Sequence, residues 1–325
     1  MTIETKVFNE QAGSPFIIEA NGPSSDFRLS ELQAWKDANK ALINEKLLTH
    51  GAILFRNFGV NSVEGFDEFL TQFKTSNLLD YTGGNSPRTK LLQGIYTSTE
   101  YPAEHFISLH NEFSYSDQWP AHLFFCCVTA PEKDGNTLIA DGRKVLQLLD
   151  PEVIDKFEQR KVTYIRNMHD GSGIFGPSWQ DTFETQDKDQ VSEFCKQSNI
   201  DFVWKKDGGL RTLQQGLGVA VHPISKEKVW FNQADQFHAS NHPRDYYEAM
   251  VEMCNGKLDE LPQHACFGDG SEIPDDALAS VRNAFKQLTV YFPWQQGDAL
   301  LIDNVLMAHG RAPFSGPRKI LVAMS

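Results

Sequence analysis

Two short segments of this chain carry residue types that together suit metal chemistry. In LHNEFSY, His110 and Glu112 stand two residues apart. On a β-strand that spacing sends both side chains to one face, while Asn111 points away. An imidazole and a carboxylate can then approach one metal ion from the end of a single strand. The second segment is the C-terminal stretch GDALLIDNVLMAHGRAPFSGPRKILVAMS. A Gly-Asp turn opens an apolar strand, Asp303 and Asn304 follow it, then comes His309, and Arg318 lies in the final apolar strand. A second imidazole completes a two-histidine, one-carboxylate set, leaving three adjacent metal positions for O2 and a chelating co-substrate. A fixed guanidinium beyond it suits the far carboxylate of a dicarboxylic acid, which it can grip through two parallel hydrogen bonds.

These residues need a scaffold of strands. Strand patterns occur at 51–58, 122–129, 136–140, 161–166, 202–204, 218–221, 228–231, 288–292, 298–302 and 319–324. Helical spacing appears at 29–48, after Ser62, after Asp141, from Pro151, and at 186–197, 243–254 and 274–288. Strands and helices do not alternate regularly, and neither GxGxxG nor GxxxxGK[ST] occurs, which argues against a doubly wound nucleotide fold. The pattern predicts an α+β architecture: a β-sandwich or barrel core with helical decoration. No repeat or long linker divides the chain, so residues 1–325 are expected to form one domain. Its helical N-terminal region covers about 1–50 and its helical insert about 150–285.

Composition narrows the partners. The formal charge of −13, without a Lys/Arg run, argues against nucleic acid, whose phosphates need a basic surface. No stretch of about eighteen apolar residues exists to span a membrane. The first residues lack the basic and apolar regions of a signal peptide. The five cysteines, odd in number and irregular in spacing, do not form a disulfide framework and fit a reducing cytoplasm.

With these motifs in place, the sequence resembles the taurine dioxygenase (TauD/TfdA) and clavaminate synthase-like family of iron(II)/2-oxoglutarate oxygenases. The likeness runs from about Gly51 to the C-terminus and is carried by LHNEFSY, DGNTLIADG and GDALLIDNVLMAHGRAPFSGPRKIL. WFNQADQFHASNH adds a likeness to the SyrP-like branch, which hydroxylates amino acids in peptide natural-product pathways. The resemblance implies a double-stranded β-helix, a cupin-like jelly roll. It implies His110, Glu112 and His309 as iron ligands, Arg318 on the distal carboxylate of 2-oxoglutarate, and the Thr137 hydroxyl beside it. The implied reaction uses O2 to split 2-oxoglutarate into succinate and CO2 while a C–H bond of a small polar substrate is hydroxylated. That substrate is expected to be a free or carrier-tethered amino acid. Desaturation and oxidative cyclisation are open to the same site. Where the taurine enzymes carry a second sulfonate-binding arginine, this chain has Val322, which argues against a sulfonate. Related halogenases lack the acidic ligand, so Glu112 argues against halogenation.

Other residues stay secondary. Arg311 is a candidate for a substrate carboxylate. His238 and His242 have helical spacing but no glutamate completing HExxH, so they read as structural or as a cavity rim. Trp230, Phe231 and Phe237 read as core, and Trp179, in GPSWQDTF, as part of a loop covering the site. A ligand-binding scaffold without turnover, or a zinc hydrolase, would use parts of this set. Arg318 and Thr137 have no evident task in the hydrolase.

Overall fold

The apolar run His122–Thr129 buries both of its faces, which is why it shows no polar alternation. Leu123, Phe125 and Cys127 point into one core and Phe124 and Cys126 into another. The computed structural model describes residues 2–21, 29–73, 78–81, 83–84, 86, 88–173 and 176–325. In it this strand lies near the middle of an eight-stranded major sheet. The spatial order is Thr2–Val7, Phe16–Asn21, Ala52–Arg56, Ala299–Asp303, His122–Thr129, Lys319–Met324, Ile95–Thr97 and Lys90–Leu92. A four-stranded minor sheet runs Val290–Phe292, Thr137–Asp141, Met307–Arg311 and Ile107–His110. Leu300, Ile302, Ile320 and Val322 of the major sheet meet Ile139, Phe292 and Met307 of the minor sheet in a shared core. Each such side chain contributes about 1.5–3 kcal/mol by leaving water.

The outer face of the major sheet is covered by helices Leu29–Ala38, Lys40–His50 and Val63–Gln72, through Leu32, Leu47, Phe66 and Phe69 among others. Ser62 caps the third, its hydroxyl accepting from the Gly65 N–H at 3.0 Å. The outer face of the minor sheet packs on helix Asp275–Leu288 through Leu138, Ala140 and Ala308. At the Gly-Asp turn, the Asp298 carboxylate receives Arg56 Nε at 2.9 Å and Nη2 at 2.8 Å, tying two neighbouring strands together.

Several expectations are corrected here. The helix foreseen over 29–48 breaks at Asn39. The expected N-terminal helical region begins only at Leu29, because Thr2–Val7 and Phe16–Asn21 add two strands to the major sheet. Within the insert the strands expected at 161–166 and 202–204 are present, and with two more they form an antiparallel sheet in the order Asp201–Trp204, Leu210–Gly216, Val162–Met168 and Gln263–Phe267. Leu210–Gly216, Gln263–Phe267 and Met307–Arg311 were not foreseen as strands, since their polar and small residues hide the alternation. Trp179 opens a short helix, Trp179–Phe183, and is buried against Trp204 rather than standing in a loop. Trp230, Phe231 and Phe237 lie in the core as expected. No described helix is long and apolar enough to cross a membrane.

Candidate metal centre

The minor sheet brings the two histidines together. His309 pairs directly across from His110, and the ring centroids lie 4.4 Å apart. The register shifts between His309 and Arg311, and the reason is legible at Gly310. A Cβ there would meet the Ile107 carbonyl oxygen at 2.5 Å, so only glycine permits this approach. The strand ends at His110, so Glu112 stands not on the strand but on the turn beyond it. That turn is fixed by Asn304, whose Oδ1 accepts the Glu112 N–H at 2.8 Å. Asn304 Nδ2 donates to the carbonyls of Glu112 and Pro120, each at 2.9 Å. Asn111 turns away as expected and donates to the Asn304 carbonyl at 2.6 Å.

The result is a buried group whose candidate ligand atoms all lie within 4.8 Å of one another: His110, Glu112 and His309. Glu112 Oε2 is 3.7 Å from His309 Nε2. His110 Nδ1 meets the Ser108 carbonyl at 2.8 Å, which places its proton there and leaves Nε2 as a lone-pair donor. Burial lowers the basicity of both imidazoles; for His309 the neighbouring His110 and Arg88 lower it further. Neutral imidazoles are what a divalent cation requires. His309 Nδ1, buried, has no hydrogen-bond partner. Phe125 packs on the His309 ring at 5.4 Å. This donor set fits iron(II).

The three groups open onto a cavity of about 460 Å³. Arg318 also lines it, half-buried one residue before strand Lys319–Met324 rather than within it. Its Nε donates to the Gly135 carbonyl at 3.2 Å, which leaves both terminal nitrogens for a ligand. Burial, then the nearby Arg311, pulls its pKa down to about 10, so it stays cationic at neutral pH. Thr137 also lines the cavity, and its hydroxyl oxygen accepts from Trp294 Nε1 at 2.9 Å. The hydroxyl proton thus stays available to an anion. Arg311 lies opposite Thr137 in register, but its terminal nitrogens are held by the carbonyls of Tyr101, Pro102 and His105. That arrangement makes it a clamp on the 101–105 loop, with only Nε unpartnered. His242 borders the cavity, and His238 is buried beside Ser240. Gly176 and Pro177 reach the cavity wall, whereas Trp179 does not.

Two arginines that sequence reasoning passed over stand here. Arg88 Nη2 donates to Glu112 Oε2 at 2.7 Å, and Arg166 Nη1 donates to the Gly83 carbonyl at 3.0 Å. No local pattern marks either. Arg88 follows a polar Ser-Pro stretch, and Arg166 occupies an ordinary strand position.

Residues 11–324 match the family described as taurine catabolism dioxygenase TauD, TfdA family. The chain belongs to this dioxygenase family. The dapdiamide synthesis protein DdaC of Enterobacter agglomerans is 36% identical over 313 residues, covering 96% of this chain and 92% of that protein. A clavaminate synthase-like protein of Arabidopsis thaliana is 30% identical over 295 residues, covering 88% and 84%. Among solved structures, PvcB is described as an Fe, alpha-ketoglutarate dependent oxygenase from an isonitrile synthetic pathway. It aligns with a TM-score of 0.53 at 16% identity, covering 99% of this chain and 90% of its own. The jelly-roll fold, the 2-oxoglutarate-dependent dioxygenase class and the dependence on iron and 2-oxoglutarate expected from the motifs therefore hold for this dioxygenase.

Proposed function

We propose that His110, Glu112 and His309 hold the iron of this dioxygenase, and that Arg318 and the Thr137 hydroxyl receive the distal carboxylate of 2-oxoglutarate. The substrate is a small polar molecule, a free or carrier-tethered amino acid, hydroxylated at an unactivated C–H bond during assembly of a natural product. The observation that carries this reading is one cavity with the two-histidine, one-carboxylate set and an unpaired guanidinium in its wall. The names of DdaC, a synthesis protein, and of PvcB, from a synthetic pathway, support the biosynthetic setting.

When bound, iron(II) and 2-oxoglutarate supply the activation of O2 that makes C–H oxidation feasible. The chain's own residues orient and shield. Ser108 fixes the His110 tautomer, Asn304 sets the height of Glu112, and Phe125 holds the His309 ring. Arg318 and Thr137 align the dicarboxylate through charge-assisted hydrogen bonds. Phe125 and Ile320 contribute apolar wall, which keeps water from competing for the reacting centre.

The test is anaerobic addition of iron(II) and then 2-oxoglutarate, followed by visible absorbance. A weak metal-to-ligand charge-transfer band is expected. Arg318→Gln should weaken it at a fixed 2-oxoglutarate concentration, and His309→Ala should abolish it. A wild-type protein without band or iron binding would overturn the assignment.

A further inference from the structure

The cavity is unbalanced in charge. Among the described residues lining it, Arg88, Arg166, Arg311 and Arg318 are cationic, and Glu112 is the sole carboxylate. A divalent metal adds two positive charges, and 2-oxoglutarate removes two. Arg311 is occupied by backbone carbonyls. Arg166 has a single backbone carbonyl, that of Gly83, and Arg88 has Glu112. The Arg88 side chain is 4% exposed, yet its Nε and Nη1 have no hydrogen-bond partner, and neither has Arg166 Nη2. Guanidinium donors buried without acceptors are costly, and an anion in the cavity removes that cost.

Both guanidinium groups are aimed by aromatic faces. Arg88 lies 3.9 Å over the Tyr81 ring, and Arg166 lies 4.7 Å over Tyr115 and 5.5 Å over Phe237. Phe113 packs between Tyr81, edge-on at 5.3 Å, and Tyr115, tilted at 5.5 Å, so the two arginines flank one aromatic row. Stacking fixes each plane and presents its N–H edge, as a carboxylate requires. Arg318 keeps different company, namely Gly135, Phe314 and Arg311.

We propose that Arg88 and Arg166 form the subsite that reads a free carboxylate on the substrate, distinct from the Arg318–Thr137 subsite for the co-substrate. The inference rests on the oxygenase reading of the same cavity and sharpens its substrate class. An amino acid whose only carboxyl is spent as a carrier thioester lacks the group these arginines await. Among the described lining residues a substrate ammonium would find no carboxylate besides Glu112, which Arg88 already engages. The buried Gln233 side-chain carbonyl, without a partner, offers a neutral acceptor for a substrate N–H instead.

The test uses the protein loaded with Mn(II) and N-oxalylglycine, an analogue of 2-oxoglutarate, and acetate as probe. Paramagnetic relaxation of the acetate methyl protons reports binding near the metal, and acetamide is the uncharged control. The expected result is saturable relaxation with acetate but not acetamide. Arg166→Gln, which leaves the Glu112 partner in place, should weaken acetate binding about tenfold or more. Arg88→Lys, which keeps a cation beside Glu112 but removes the planar fork, should weaken it as well. No saturable acetate effect, an equal effect of acetamide, or unchanged binding in Arg166→Gln would overturn the subsite. If N-oxalylglycine does not alter water-proton relaxation by bound Mn(II), the oxygenase reading fails, and the subsite with it. That outcome is visible before acetate is added.

Discussion

Replacing Asn304 by alanine should loosen the candidate metal centre without touching any ligand. The side chain is fully buried and makes three hydrogen bonds, one accepted from the Glu112 N–H and two donated to the carbonyls of Glu112 and Pro120. Truncation strands one donor and two acceptors in a place that water reaches poorly. With about 1–2 kcal/mol for each group so stranded, the loss is about 3–6 kcal/mol. That is a large part of an ordinary folding stability of about 5–15 kcal/mol. If the chain unfolds as one unit, the melting temperature falls by about 5 °C, because the unfolding entropy grows with chain length. The Glu112 turn also loses its anchor, so Mn(II) affinity should drop about 10–100-fold, the usual cost of removing a group that orients a metal ligand. Asn304→Asp is a sharper variant. It keeps an acceptor for the Glu112 N–H but turns both donations into repulsion against carbonyls, so it should be no better than alanine. Thermal unfolding and Mn(II) titration of the two variants measure these effects. A loss below about 1 kcal/mol with wild-type Mn(II) affinity would refute the view that Asn304 sets the position of Glu112.

Two further outcomes concern titrating groups away from the centre. Burial, with smaller contributions from His264 and Arg282, lowers the His238 pKa to about 3. The unfolded chain binds a proton at this residue below about pH 6.5 that the folded chain refuses until about pH 3, so stability rises with pH across that window. At pH 5.5 the penalty is about 1.4 kcal/mol. His238→Gln should therefore flatten the difference in urea midpoint between pH 5.5 and 7.5, and an unchanged slope would count against the burial argument. Cys126, Cys127, Cys195 and Cys266 are buried, and burial raises each thiol, Cys127 to about 12 and Cys195 and Cys266 to about 11. A thiol-exchange chromophore should label only half-buried Cys254 promptly in the native protein and all five cysteines in urea. Prompt labelling of a second native thiol would contradict this packing.

The sequence by itself was enough to choose the chemistry, because the candidate groups for it sit at short, ordered offsets. His110 and Glu112 are two residues apart and His309 and Arg318 nine, but it is the pairing of Met307–Arg311 with Ile107–His110 that joins the two pieces. Capping is equally local: Ser62, Asp141 and Pro151 mark helix starts that the structure contains. What only the tertiary structure decided depends on partners far away in the chain. Arg88 acquires meaning through Glu112, 24 residues on, and Arg166 through Gly83, 83 residues back. Arg311, which spacing offers to a substrate, is instead consumed by the carbonyls of residues 101–105. The N-terminal strands likewise depend on pairing, since Phe16–Asn21 runs parallel to Ala52–Arg56 and pairs along its other edge with Thr2–Val7. Spacing along a chain fixes which face a side chain takes, whereas burial and the acceptors left for its protons are fixed by elements that fold in from elsewhere.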